Sequence, residues 1–134
     1  MKADYIQAIH HYERLLHLAQ DTAHLQMLSV AHSGLADSYL AQGDTRQALD
    51  QALRARQAAQ DTGSAFARGL SARALGDVYL RLQDTRQAAV LFEESIPLLE
   101  GAKEEAELMK ARQGRELAVS RLNANPPFKS ATGE

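Results

Sequence analysis

No cysteine and no tryptophan occur in this 134-residue chain, proline appears three times, and aromatic residues make up only 5% of it. Without cysteine there is neither a disulfide framework nor a thiolate metal site, which suits a reducing compartment. No apolar run approaches the roughly 18 residues that a membrane-spanning helix needs. Neither sign of charge dominates: 15 Lys and Arg face 17 Asp and Glu, for a net charge of −2. That balance gives no reason to expect nucleic acid or an anionic membrane as partner. The opening Met1-Lys2-Ala3-Asp4-Tyr5 lacks the apolar stretch of a signal peptide, so the chain is read as soluble and cytoplasmic.

Signatures of catalysis are missing as well. There is no nucleophile elbow, phosphate loop or zinc-protease motif. Ser29, Ser33, Ser38 and Ser71 fall inside helical pattern with no acid–base partner in register. Glu93-Glu94 and Glu104-Glu105 are neighbours that diverge around a helix, and they read as solvated faces. Five histidines (His10, His11, His17, His24 and His32) crowd the first quarter. His10 and His17 are about 10.5 Å apart along a helix, too far to share one ion at zinc–nitrogen distances of about 2 Å. The expectation is a non-enzyme with no metal and no cofactor.

What the chain has is a repeat. Asp44-Thr45-Arg46-Gln47-Ala48 returns 40 residues later as Asp84-Thr85-Arg86-Gln87-Ala88. Leu35, Asp37, Tyr39 and Leu40 return as Leu75, Asp77, Tyr79 and Leu80, and the shift extends upstream to Asp4, Gln7 and Ala8. A fixed period of this size signals stacked copies of one supersecondary unit. Asp4, Asp44 and Asp84 each stand three residues before a Gln, the spacing of a helix-starting capping box. Gly43 suits a left-handed helix end, which Gln83 supplies less well in the next copy.

Apolar residues between these signals recur at helical spacing, as in Ala48, Leu49, Ala52, Ala55 and Ala59. Helices are predicted at 4–20, 23–41, 44–61, 64–81, 84–101 and 103–122. Pro97 is expected to kink or end the fifth. The fold class is all-α: about six helices, in antiparallel hairpins stacked as a short right-handed α-solenoid. Residues 1–122 form one domain, with a half repeat at 4–20, repeats at 23–61 and 64–101, and a capping helix at 103–122. Residues 123–134 have the composition of a disordered tail. Because the pattern begins with the second helix of a unit, its apolar stripe is expected either to adjoin further repeats or to be covered by another copy.

Leu75, Gly76, Tyr79, Ala88 and Phe92 resemble the spacing of the tetratricopeptide repeat. The first copy fills the same places with Leu35, Ala36, Tyr39, Ala48 and Ala52. Ala72 and His32 stand where that family usually has Trp, and its commoner repeat is about 34 residues long. The 40-residue version is similar to repeats in bacterial signal-responsive regulators and some eukaryotic adaptor proteins. The resemblance implies a concave groove lined by the first helix of each hairpin. Transferred position by position, the partner-binding residues are Ser33, Asp37 and Leu40, then Arg73, Asp77 and Arg81, then Lys110, Gln113 and Arg121, with Val30 and Leu70 beside them. Members that grip a peptide's terminal carboxylate carry Asn where this chain has Asp37 and Asp77, so that function is not expected here. Asp77 and Arg81 are spaced to form an ion pair of their own.

The function implied is a module that binds a protein or peptide segment, within a larger regulator or scaffold. One alternative is a homo-oligomer formed through the first helix. The other is a ligand- or signal-sensing segment of a bacterial transcriptional regulator.

Overall fold

A computed structural model describes residues 2–22 and 24–124. It contains six helices: α1 (Lys2–Thr22), α2 (Leu25–Gln42), α3 (Thr45–Gln60), α4 (Ala65–Arg81), α5 (Thr85–Ala102) and α6 (Glu105–Ala124). No strand occurs among the described residues. Each helix packs on the next, and α4 also packs on both α2 and α6. The backbones of the odd-numbered helices lie further apart, and side chains bridge α3 to α5. Two layers result, with the even helices drawn together as an inner layer and the odd helices splayed outside it. This is the all-α stacked-hairpin architecture that the repeat implies.

Local chemistry sets the helix starts. Asp44 accepts the Gln47 N–H at 3.1 Å, and Asp84 accepts the Gln87 N–H at 3.5 Å. His24 Nδ1 caps α2 by accepting from Met27 N at 3.2 Å, and Ser64 caps α4 through Ala67 N at 3.2 Å. Asp4 does not cap: α1 already begins at Lys2, so Asp4 lies within the first turn, where its charge meets the positive end of the helix dipole.

Equivalent ends close α2 and α4. Gly43 is left-handed, with φ of 86°, and its N–H donates to Leu40 O while Asp44 N donates to Tyr39 O. Forty residues on, Gln83 takes φ of 65° and the same two bonds form, to Leu80 O and Tyr79 O. The chain therefore holds a non-glycine residue in a region that disfavours side chains. Pro97 does not end α5, which runs on to Ala102. Asn123 and Ala124, expected in the tail, complete α6. Residues 125–134 lie outside the described residues.

Small residues let the layers meet. α3 buries Ala48, Ala52, Ala55 and Ala59 along one face. Phe92 is fully enclosed between α4 and α6. A Cβ at Gly76 would stand 2.9 Å from its ring, and one at Gly114 would overlap it. A Cβ at Gly34 would likewise overlap Tyr12. These contacts follow the repeat. Tyr12, Ala52 and Phe92 are equivalent positions, and so are Gly34, Ala74 and Gly114. Aromatic meets glycine at both ends of the array, and in the middle, where position 52 shrinks to alanine, the matching position 74 grows to alanine. The two positions change in opposite senses, so the loss of the ring at 52 is offset in part by the methyl at 74, as close packing favours.

Candidate functional site

The inner layer leaves one large open cleft of about 1250 Å³. The last turns of α2 and α4 form one wall, the start of α5 a second, and the inward face of α6 a third. Seven of the nine residues anticipated from the repeat line it: Asp37, Leu40, Arg73, Asp77, Arg81, Lys110 and Arg121. Ser33 and Gln113 do not. Ser33 is fully buried, and its short side chain stops inside the helix packing with its hydroxyl unpartnered. Gln113 is exposed in a shallow depression with Met109 and Arg112. At the equivalent position Arg73 is covered by α6 and its carboxylates, whereas no described helix follows α6 to draw Gln113 inward.

Arg73 reaches the cleft floor but does not present itself there, being only 1% exposed. Its guanidinium binds Asp37 of α2 with two bonds of 2.8 Å, Asp77 of α4 at 2.7 Å and Glu107 of α6 at 3.1 Å. One cation thus ties all three inner helices. Burial alone would lower its pKa; the Asp37 hydrogen bonds and the charges of Asp37, Asp77 and Glu107 reverse that and hold it charged. Burial raises the Asp77 carboxyl against the pull of Arg73. The i,i+4 pair anticipated between Asp77 and Arg81 does not form. Asp77 turns back to Arg73, and Arg81 instead reaches across to Leu40 O at 3.4 Å.

Arg121 repeats that reach one unit later, donating to Leu80 O at 3.5 Å. Each arginine touches the exposed carbonyl end of the preceding inner helix, where a cation complements the helix dipole. Sequence reasoning also missed Arg86, Leu117 and Leu122, which line the cleft beside Asp84. Arg86 belongs to the repeated Asp-Thr-Arg-Gln-Ala and was read only as part of a helix start. Leu117 departs from the repeat, standing where Asp37 and Asp77 stand in earlier copies.

The lining carries five cations (Arg73, Arg81, Arg86, Lys110 and Arg121) against three anions (Asp37, Asp77 and Asp84), in a chain whose net charge is −2. No group of three or more His, Asp or Glu side chains among the described residues is placed to hold a metal ion. Also among the described residues, no helix is long and apolar enough to cross a membrane. On the opposite side, Arg56 and Glu94 join α3 to α5 through paired bonds of 2.7 and 2.9 Å. The Arg56 hydrogen bonds hold the Glu94 carboxyl below its usual range.

Residues 27–101, more than half the chain, match the family described as tetratricopeptide repeat. The match covers nearly all of α2 and the whole of α3, α4 and most of α5. No curated protein matches the chain.

Proposed function

The chain belongs to the tetratricopeptide repeat family, and from that premise we propose that its inner cleft binds an extended segment of another protein. Repeats of this family mediate protein–protein interaction and are typically non-catalytic. The observation that carries the reading is the cleft itself. It is open, it is walled by three inner helices, and an exposed Leu117 stands beside partly covered Leu122 among charged groups. Apolar anchors within a polar rim are what a peptide-binding groove offers. The binding unit is taken as 1–122 extended by Asn123 and Ala124, which end α6 at the cleft.

The test is capture of partners by the native protein, read by mass spectrometry, with two matched variants. Leu117→Asp places a charge inside the cleft, and Met109→Asp places one in a separate shallow depression on the same helix. Captured proteins should disappear with Leu117→Asp and persist with Met109→Asp. Equal retention by both variants removes the cleft from the interaction.

A second reading is self-association through α1, favoured by exposed Ile6 on that helix and exposed Leu25 beside its end. Light scattering at high concentration tests it. A monomer throughout the concentration range rejects it.

A further inference from the structure

We infer that the segment taken by the cleft is acidic, its Asp or Glu side chains meeting Arg81, Arg86 and Arg121. This rests on the cleft being the binding site. The argument is one of unmatched charge. Two of the three anions in the lining are paired with a cation, Asp37 and Asp77 holding Arg73, while Asp84 accepts only from the N–H and Nε2 of Gln87. Lys110 is held by Glu107 at 3.2 Å. Arg81, Arg86 and Arg121 have no carboxylate oxygen within 4.0 Å among the described residues.

Their surroundings leave them able to bind. All three are exposed. Arg81 and Arg121 each give one long bond to a helix-end carbonyl. A guanidinium has five N–H donors in a planar fork, so most of the donors of each remain for a ligand. The carbonyl contacts also restrain the side chains, reducing the ordering a ligand would impose. Carboxylates suit such forks because two parallel bonds can form to each. Leu117 and Leu122 supply apolar surface beside the cations, so the segment should intersperse acidic with apolar residues.

The charge pattern also distinguishes occupants. A basic segment would meet the guanidinium groups of Arg81, Arg86 and Arg121, and of the three cleft acids only Asp84 is not held by Arg73. Nucleic acid would require a wider run of unpaired cations than three, in a chain of net negative charge.

The experiment is selection from a random peptide-display library against the immobilised full chain, followed by affinity measurement on synthetic peptides from the selection. Enriched peptides should carry Asp or Glu. Replacing those by Asn or Gln should weaken binding at least about tenfold, as should the double variant Arg81→Gln/Arg121→Gln. Arg86→Gln removes a cation with no ion partner of its own, so it should lower affinity several-fold without altering the melting temperature, whatever the double variant does to folding. Enrichment of neutral or basic peptides that are still lost with Leu117→Asp would overturn the acidic assignment and leave the cleft standing. No enrichment, or enrichment insensitive to Leu117→Asp, would overturn both. A single-stranded oligonucleotide that displaces the selected peptides at lower concentration than they displace each other would also defeat the assignment.

Discussion

The two full copies of the repeat, α2–α3 and α4–α5, share a backbone plan and differ in how they use it. Identical residues sit at the joints: Asp44 and Asp84 start helices, Tyr39 and Tyr79 accept the end-cap bonds, and Ala48 and Ala88 are buried where helices cross. Differences sit at the interfaces. Ser33 is a buried hydroxyl without a partner, and Arg73 at the same position gathers three carboxylates. Ala41 is a bare wall of the cleft, and Arg81 is one of its unpaired cations. His32 is bonded to Gln51, where the second copy has a buried Ala72. The comparison teaches that repetition builds the array, while departures from it build the rivet between units and the character of the cleft.

The largest test of that contrast is at positions 33 and 73. Arg73→Met leaves Asp37, Asp77 and Glu107 without their shared cation and should destabilise by about 2–4 kcal/mol, the partial solvation of the carboxylates keeping it below a fully enclosed case. Ser33→Ala should instead stabilise by about 0.5–1 kcal/mol by deleting an unsatisfied hydroxyl. Urea unfolding measures both, and equal effects would erase the distinction between the copies.

Next in size is the aromatic–glycine pairing. Ala52→Phe imposes on the first copy the ring that the second carries, and should cost about 1–3 kcal/mol through overpacking. Adding Ala74→Gly, which recreates the pairing of Phe92 with Gly114, should recover part of that loss. A double-mutant cycle with no coupling between the two sites would break the compensation argument.

A smaller effect belongs to the helix ends. Gln83→Gly gives the second copy the residue of the first at a left-handed position and should stabilise by about 0.5–1 kcal/mol. Gly43→Gln should destabilise by a similar amount, since it asks the first copy to do what the second does. Thermal melting resolves the pair.

The gentlest difference is in pH dependence. Burial lowers the pKa of His32 below 6.5, outweighing the Gln51 hydrogen bond that would raise it; among its charged neighbours Arg54 also lowers it and Asp50 raises it. The unfolded chain therefore binds more protons than the folded one just below pH 6.5. Stability contributed at this site is fully present above that pH and declines as pH falls through 6.5 toward the folded pKa. His32→Ala, copying Ala72, should flatten this part of the stability–pH curve. An unchanged slope would assign the titration elsewhere.

Helix number, order and pairing were legible because they depend on short-range chemistry. The caps at Asp44 and Asp84 span three residues, and the apolar stripes follow one helical period. Pro97 does not end α5, because the buried face of that helix (Leu91, Phe92, Ile96 and Leu99) holds it past the one backbone bond a proline removes. The site was less legible. Arg73 has a partner four residues away and others 36 and 34 residues away, and nothing in local pattern says which way its guanidinium turns. Asp77 looked suited to Arg81 for the same reason. Ser33 and Gln113 share the register of Arg73 but not its reach to the cleft: Ser33 is as deeply buried but too short, and Gln113 has no described helix lying over it.

The most direct test of the account places a photo-crosslinking residue at either of two positions on α6 and exposes each protein to its captured partner. Position 117 lines the cleft, and position 109 lines a separate depression outside it. The result expected is crosslinking from 117 and none from 109, lost when Arg81 and Arg121 are replaced by Gln. Crosslinking from 109 with none from 117 would contradict the claim that the inner cleft is where this protein meets its partner.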